Sequence, residues 1–485
     1  MNTDVLIIGA GIMGCALARV LSRYQCTVTV VERAGDVAEG ASKANSGIVH
    51  AGFDAHAGSQ KAIYNVKGAE MYPSLCQELD VPYKQTGAYV LAFREEDRET
   101  LAILQAQGEE NGVKDLRILE RNELLQREPE VNPEVVCALY APTSGITSPY
   151  EMTYALADHA AVNGVTFLFN TRVTGIDRTS AGWQIQTPAG EISCKILVNC
   201  AGIGAGEIHT WMTGGSTVHL TPRRGQYYLL DRLGELPFHA TMFQCPTNMG
   251  KGVLISPTVH GNLILGPTAE DIQDPIDTAT TQEGLRIVME KCRLTWPNVS
   301  LRSVITNFSG IRAHEDLGDF VIGGVGQPGG YVAAGIESPG LTASPAIAED
   351  LGETIADQEH LEKKTSYAPP YHRPKPFFSM TQQEREEAVA ADSNYGRMVC
   401  RCEVVTEAEV RAAIHRPVGA TTIDGVKRRT RAGMGRCQGG FCSTRVTEIL
   451  AEELHIPMTQ VTKMGGNSLV LTGTLEEAMK EGMQS

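Results

Sequence analysis

Four cysteines of the 485-residue chain are spaced for chemistry rather than packing: Cys400-x-Cys402 and, further on, Cys437-x4-Cys442. Two close pairs of thiolates suit either a structural zinc ion or an iron–sulfur cluster. Zinc knuckles usually take C-x2-C, so the C-x-C pair speaks against zinc without excluding it. Gly433, Gly435, Gly439 and Gly440 let the backbone come close and turn N–H groups toward sulfur. Lys427, Arg428, Arg429, Arg431 and Arg436 place five cations beside a centre that grows more negative on reduction. Hydrogen bonds and positive charge both raise the reduction potential of such a centre. A nucleic-acid patch is the poorer account of this basic run, because the chain around it is acidic.

A second constellation lies at the other end. Gly9, Gly11 and Gly14 have the G-x-G-x-x-G spacing, with Ile12 and Met13 between the last two. Without Cβ atoms they permit a tight turn, approach to a pyrophosphate and close helix–strand packing. The helix that follows offers free N–H groups and a positive dipole end to the phosphates. Glu32, followed by Arg33, stands where an acid can accept hydrogen bonds from ribose hydroxyls. This fingerprint predicts a dinucleotide, FAD or NAD.

The elements needed to position these groups can be read around them. Residues 4–8 form an apolar strand, a helix runs through Arg23, and a second strand, Thr27–Val31, ends at Glu32, a βαβ opening. Residues 94–130 read as a charged, helical inserted cap. A helix near Tyr150–Asn163 precedes a strand at Val165–Phe169, and Ile196–Gly202 reads as a strand and turn. Short β-rich runs in 216–310, among them Gln226–Leu230, Gly252–Ser256 and Asn262–Gly266, predict an antiparallel sheet. The four prolines of Tyr367–Phe378 cannot continue a helix or central strand, so an extended linker is expected there.

Composition sets the limits. Hydrophobic residues make up 42% and charged residues 20%, as in a globular protein rather than a disordered or fibrous one. Lys+Arg 42 against Asp+Glu 57 gives −15, which argues against nucleic acid or anionic membrane as partner. No apolar run has the length of a transmembrane segment. Asp4 stands where a signal peptide would need positive charge, so a cytoplasmic location is expected. The other eight cysteines, such as Cys15 and Cys200, read as buried small hydrophobes.

Longer blocks carry a family resemblance. Ser42-Lys43-Ala44-Asn45-Ser46-Gly47-Ile48-Val49-His50-Ala51-Gly52 resembles the flavin-facing segment of the D-amino-acid-oxidase-like FAD oxidoreductases, above all the L-2-hydroxyglutarate dehydrogenase group. Val198–Gly202 and Glu337-Ser338-Pro339-Gly340-Leu341-Thr342 resemble further FAD-binding blocks of that group. The resemblance implies bound FAD, touched by Ser42, Asn45, Ser46, Gly47, Val173, Ala201, Gly202, Gly340, Leu341 and Thr342. It implies His50 as the base for a hydroxyl proton and Arg312 as a guanidinium over the flavin, holding a carboxylate. Arg224, on a strand bordering the site, is expected to bind a second anionic group. The segments Cys400–Glu403 and Arg429–Cys442 resemble the bacterioferritin-associated-ferredoxin-like 2Fe–2S domain of the anaerobic glycerol-3-phosphate dehydrogenase large subunit. That resemblance implies a 2Fe–2S cluster on Cys400, Cys402, Cys437 and Cys442.

The fold class expected is α/β: a Rossmann-like FAD-binding domain, an antiparallel-sheet substrate domain and a small C-terminal iron–sulfur domain. The oxidoreductase should fill 1–366, with FAD-binding parts near 1–90, 145–215 and 310–366 and substrate or cap parts near 91–144 and 216–309. A linker, 367–395, and the 2Fe–2S domain, 396–485, follow, the two units folding largely independently. The glycerol-3-phosphate dehydrogenases carry a Gly-Gly-Lys-type block where this chain has Glu337–Leu341. A small anionic 2-hydroxy acid is therefore the expected substrate, with glycerol 3-phosphate, an amine or amino acid, or a non-catalytic electron-transfer role as alternatives. Electrons should leave through the cluster to a partner flavoprotein subunit or other acceptor. Protein purified without oxygen should hold one FAD and one 2Fe–2S cluster per chain. Stoichiometric zinc, with neither iron nor acid-labile sulfide, would refute the C-terminal assignment.

Overall fold

The computed structural model describes residues 1–476 and 479, apart from 216, 217, 233 and 247–251. Its first layer is an eight-stranded sheet built around the N-terminal strand β1 (Asn2–Ile8). Helix α1 (Ile12–Leu21) follows, and strand β2 (Val28–Val31) lies parallel to β1, Val5 opposite Val28 and Ile8 opposite Val31. On its other edge β1 pairs in parallel with the strand Gly190–Asn199. A central parallel strand is covered on both faces, which is why Val5, Leu6 and Ile7 form an unbroken apolar run and are fully buried. Every residue of α1 is buried, because it packs between the helices Pro149–Val162 and Gly340–Gln358.

The second layer is a nine-stranded sheet whose backbone is a long ribbon, Leu220–Leu230 paired antiparallel with Val304–Glu315. The short runs expected at Gln226–Leu230, Gly252–Ser256 and Asn262–Gly266 fall in or overlap the strands Leu220–Leu230, Leu254–Pro257 and Leu263–Gly266. Two features depart from the sequence reading. The sheet is not purely antiparallel, since Thr241–Gln244 runs parallel to Ala88–Ala92. Strands from the cap region, Arg117–Glu120 and Cys137–Ala141, extend the same sheet, so cap and substrate parts share one apolar layer.

After the proline-rich stretch the chain forms the capped helix Gln382–Ala391 within the expected linker. A compact module follows: a hairpin of Met398–Cys400 with Val405–Thr406, and the helices Glu407–Ile414, Ile423–Thr430 and Cys442–Leu454. It has a core of its own, including Val410, Val426, Ile449 and Leu450. No described helix is long and apolar enough to cross a membrane.

The module is not a loosely tethered bead. Arg429, with no exposed side-chain surface, pairs with Asp36 at 2.7 and 2.8 Å and lies over the Tyr154 ring at 4.0 Å. Arg428 donates to the Tyr154 hydroxyl at 2.5 Å and pairs with Glu39. Arg416 pairs with Asp158, which also accepts from the Val418 amide at 2.8 Å. Burial works against the Asp36 charge, yet the two guanidinium groups hold its carboxyl below the ordinary range. Arg428 and Arg429 thus dock the module on the first layer; they are neutralised there and are not free cations facing the cluster.

Removing one partner of a fully buried pair leaves the other charge stranded, which costs about 3–5 kcal/mol. Asp36→Ala should therefore lower the thermal unfolding temperature and speed proteolysis in 367–397. An unchanged melting curve and cleavage pattern would show that the pair does not hold the interface.

Candidate active site

The turn between β1 and α1 is tighter than any side chain allows. Gly9 has φ +103°, and a Cβ there would stand 2.4 Å from the Cys200 carbonyl oxygen. A Cβ on Gly14 would lie 1.9 Å from the Gly9 carbonyl oxygen. Helix and strand therefore meet backbone to backbone, and the first-turn amides of Met13 and Gly14 donate to no protein acceptor among the described residues. Glu32 ends its strand beside this turn, its carboxylate accepting from the Ala10 and Ala34 amides at 2.9 Å each. A pyrophosphate beside those amides and a ribose beside that carboxylate fit the residues present.

From this turn a cavity of about 830 Å³ runs between the two layers. Ile12, Ser42, Asn45, Ser46, His50, Arg312, Gly340 and Leu341 line it, so eight of the residues expected at the site share one space. The segment carrying Ser42 to Gly47 is held from two sides. A Cβ on Gly47 would stand 2.6 Å from the Thr147 carbonyl oxygen, and one on Gly310 would stand 2.0 Å from that of Ala44. Alternation along the strand then brings Arg312, two residues beyond Gly310, over the same space. The Ser42 hydroxyl accepts from the Ile12 amide at 2.8 Å, tying this segment to the glycine turn. Pro339 precedes the helix Gly340–Gln358, and Gly340 and Leu341 of its first turn line the cavity, the Gly340 amide being bonded to the Glu337 carbonyl.

His50 donates its backbone N–H to Thr342 Oγ1 at 2.9 Å, and its Nε2 lies 3.4 Å from Ser338 Oγ. Its ring stands 5.8 Å from that of Phe243. Arg312 donates to the Thr268 carbonyl at 2.8 Å and makes no ion pair among the described residues. Burial pushes the neighbouring Tyr227 hydroxyl upward, with Arg312 opposing the shift.

The other expected residues lie around the cavity rather than on it. Val173 and Met13 are buried in apolar clusters, Arg33 is exposed, and Gly202 takes φ +58° in the turn after Asn199. Arg224 requires a correction. It does not reach the cavity: its guanidinium pairs with Glu270 at 3.0 Å and Asp277 at 2.8 Å and is nearly buried. The neighbouring residue faces inward instead, because side chains alternate along a strand. Arg223 lines the cavity directly opposite Arg312 in the ribbon, and Lys61 lines it too, paired with Glu337 at 2.8 Å. Burial opposes the Glu337 charge, but Lys61 and His314 hold its carboxyl below the ordinary range. Neither Arg223 nor Lys61 was singled out from sequence.

In the C-terminal module the four cysteines form a chain of sulfur contacts. Cys400 Sγ lies 3.7 Å from Cys402 Sγ, which lies 3.9 Å from Cys437 Sγ, while Cys442 contacts Cys400. None is in a disulfide. The contact with Cys442 and the Gly433 and Glu403 amides hold the Cys400 thiol low against the cost of burial, while the neighbouring sulfurs and burial push Cys442 and Cys402 up. The Phe441 and Gly439 amides likewise hold Cys437 low. Amides aimed at sulfur stabilise thiolate, the form that ligates iron. A Cβ on Gly435 would lie 2.5 Å from Cys402 Sγ, so this glycine is required by the sulfur itself. Sites for FAD and for a 2Fe–2S cluster are both built by the residues present.

Comparison with known proteins agrees with this geometry. A family model described as FAD dependent oxidoreductase matches residues 4–354, and one described as BFD-like [2Fe-2S] binding domain matches residues 398–452. A glycerol 3-phosphate dehydrogenase of Caloramator mitchellensis is 46% identical over 476 residues, 97% of this chain and 98% of that one. The mitochondrial L-2-hydroxyglutarate dehydrogenase of Arabidopsis thaliana is 29% identical over 72% of this chain and 83% of its own. The solved structure of dithionite-reduced L-alpha-glycerophosphate oxidase from Mycoplasma pneumoniae with FAD bound superposes with a TM-score of 0.73. It is 31% identical, covering 77% of this chain and 100% of that one. These findings overturn the expected 2-hydroxy-acid substrate. That expectation rested on the single block Glu337–Leu341, whereas similarity along nearly the whole chain, both units included, runs to a glycerol 3-phosphate dehydrogenase. FAD and a 2Fe–2S cluster are its cofactors, and it acts on a CH–OH donor. The chain belongs to the FAD-dependent oxidoreductases of the D-amino-acid-oxidase-like family, carrying a BFD-like 2Fe–2S domain at its C-terminal end.

Proposed function

We propose that this protein is a glycerol-3-phosphate dehydrogenase that passes the electrons of its substrate through the 2Fe–2S cluster to a separate acceptor. The observation that carries the reading is Arg312, a guanidinium on the cavity wall whose described partners are neutral. Such a group in a partly dry cavity is a receptor for an anion, and its planar fork matches two phosphate oxygens. Arg223, directly across the ribbon and paired with Asp271 at 2.6 Å, and Lys61, paired with Glu337, border the same space. The whole-length likeness to a glycerol 3-phosphate dehydrogenase supports phosphate rather than carboxylate.

Oxidation of the secondary alcohol breaks its C–H and O–H bonds and leaves a ketone. The Gly9–Gly14 turn, Ser42–Gly47 and the start of the Gly340 helix would hold FAD, which would supply the hydride acceptor. His50 takes the hydroxyl proton, and its place is set by its backbone bond to Thr342 and its contact with Ser338. Arg312 holds the phosphate end and so orients the carbinol end of the substrate. Residues 1–366 carry this half-reaction, and the module beyond the proline-rich stretch carries the electron exit.

Anaerobic mixing with glycerol 3-phosphate should bleach the flavin band, while glycerol, L-2-hydroxyglutarate and amino acids should not. Faster bleaching by a hydroxy acid or an amino acid would overturn the assignment. Arg312→Met should retain FAD and weaken apparent binding of glycerol 3-phosphate by about 10–100-fold, the effect of losing a charge-assisted hydrogen bond. His50→Ala should retain FAD and slow flavin reduction by about 10²–10⁴-fold. An unchanged rate would remove His50 from the role of base.

A further inference from the structure

The four cysteines are unevenly exposed. Cys400 and Cys442 are 1% and 3% exposed, whereas Cys402 and Cys437 are half-buried, so an electron leaves most directly across the Cys402–Cys437 edge. A cleft of about 370 Å³ reaches that edge, lined by Asp231, Arg232, Arg401, Cys402, Glu403 and Arg436. The two carboxylates in it are already engaged. Asp231 pairs with Arg436 at 3.1 Å, and Glu403 pairs with both Arg232 and Arg431, at 2.6 and 2.7 Å. Arg401 is exposed and makes no ion pair among the described residues. The rim is therefore positive, in a chain of formal charge −15. Beside it Phe441, whose amide bonds Cys437, is 89% exposed. A large aromatic side chain left in water is the kind of residue found at interface centres.

We propose that this edge is the docking surface for a small acidic protein that carries one electron. The proposal rests on the dehydrogenase reading and names the kind of acceptor it uses. Complementary charge steers such a carrier to this positive rim, and Phe441 supplies the apolar contact. Each substrate oxidised yields two electrons. The cluster passes them on singly, so two oxidised carriers each gain one.

The holoenzyme tests this with two ferric one-electron proteins of opposite charge, acidic rubredoxin and basic cytochrome c. With glycerol 3-phosphate as donor, reduction of rubredoxin should slow as salt rises. Arg401→Glu, and separately Arg436→Glu, should lower kcat/KM for rubredoxin by at least about tenfold and raise it for cytochrome c. Phe441→Ala should raise KM for rubredoxin with kcat held. Flavin bleaching measured without any carrier should stay within about twofold in all three variants. Rates that move in the same direction for both carriers would mean a shifted cluster potential and would overturn the proposal. So would unchanged rates, or electrons delivered only to a quinone in phosphatidylglycerol vesicles. If glycerol 3-phosphate fails to bleach the flavin, the substrate reading fails alone; dithionite-reduced holoenzyme then gives the carrier comparison independently.

Discussion

The contact on which the rest of the arrangement depends is the buried pair between Asp36 and Arg429. Asp36 follows Glu32 by four residues, on the loop that leaves β2 and runs into the segment Ser42–Gly47. That one loop holds a carboxylate beside the glycine turn, a second carboxylate clamped by the C-terminal module, and the wall of the cavity. Arg428 and Glu39 reinforce the clamp, and Glu39 also pairs with Lys43. Gly425 sits close against Asp36, where a Cβ would come within 3.1 Å of the carboxylate oxygen. A charge pair in such a place contributes little net stability compared with apolar packing, but it tolerates one geometry only. It thereby gives the cluster module a defined seat on the layer that builds the flavin site.

A second consequence of that loop is continuity between the two sites. Gly47 rests on Thr147, and the helix that starts at Pro149 carries Tyr150, whose hydroxyl lies 3.7 Å from Met434 Sδ in the loop between Arg431 and Cys437. The flavin-facing segment and the cysteine loop are thus separated by one packed helix start rather than by solvent. The proline-rich stretch, read from sequence as a tether, lies along this surface as well, with Arg373 paired to Glu151 and Ala368 bonded to Asn163.

What could be read in the sequence was local. Val5–Ile8, the three glycines and Glu32 lie close together in sequence, and at Gly9 and Gly14 backbone contacts leave no room for a Cβ. The four cysteines announce themselves by chemistry, and Gly435 by its contact with Cys402. What could not be read was relational. From sequence Arg224 is expected to border the site, but the phase of a strand is set by its partner, here Val304–Glu315, and Arg223 lines the cavity instead. The parallel pairing of Thr241–Gln244 with Ala88–Ala92 joins segments that no local pattern connects. The basic run misled because nearness in sequence to the cysteines is not nearness in direction. Arg428 and Arg429 sit on a helix that turns them toward Asp36 and Glu39, whereas Arg431 and Arg436 stay with Glu403 and Asp231. The substrate was misjudged for a related reason: one loop was weighed more heavily than the chain as a whole.

The uneven burial of the cysteines bears on how the centre is made and lost. Cys400 and Cys442 belong to the apolar core of the module, alongside Val410, Val426 and Ile449. Two of the four cysteines are therefore held by the apolar packing of the module itself. An oxidant or chelator in solvent reaches Cys402 and Cys437 before it reaches Cys400 and Cys442.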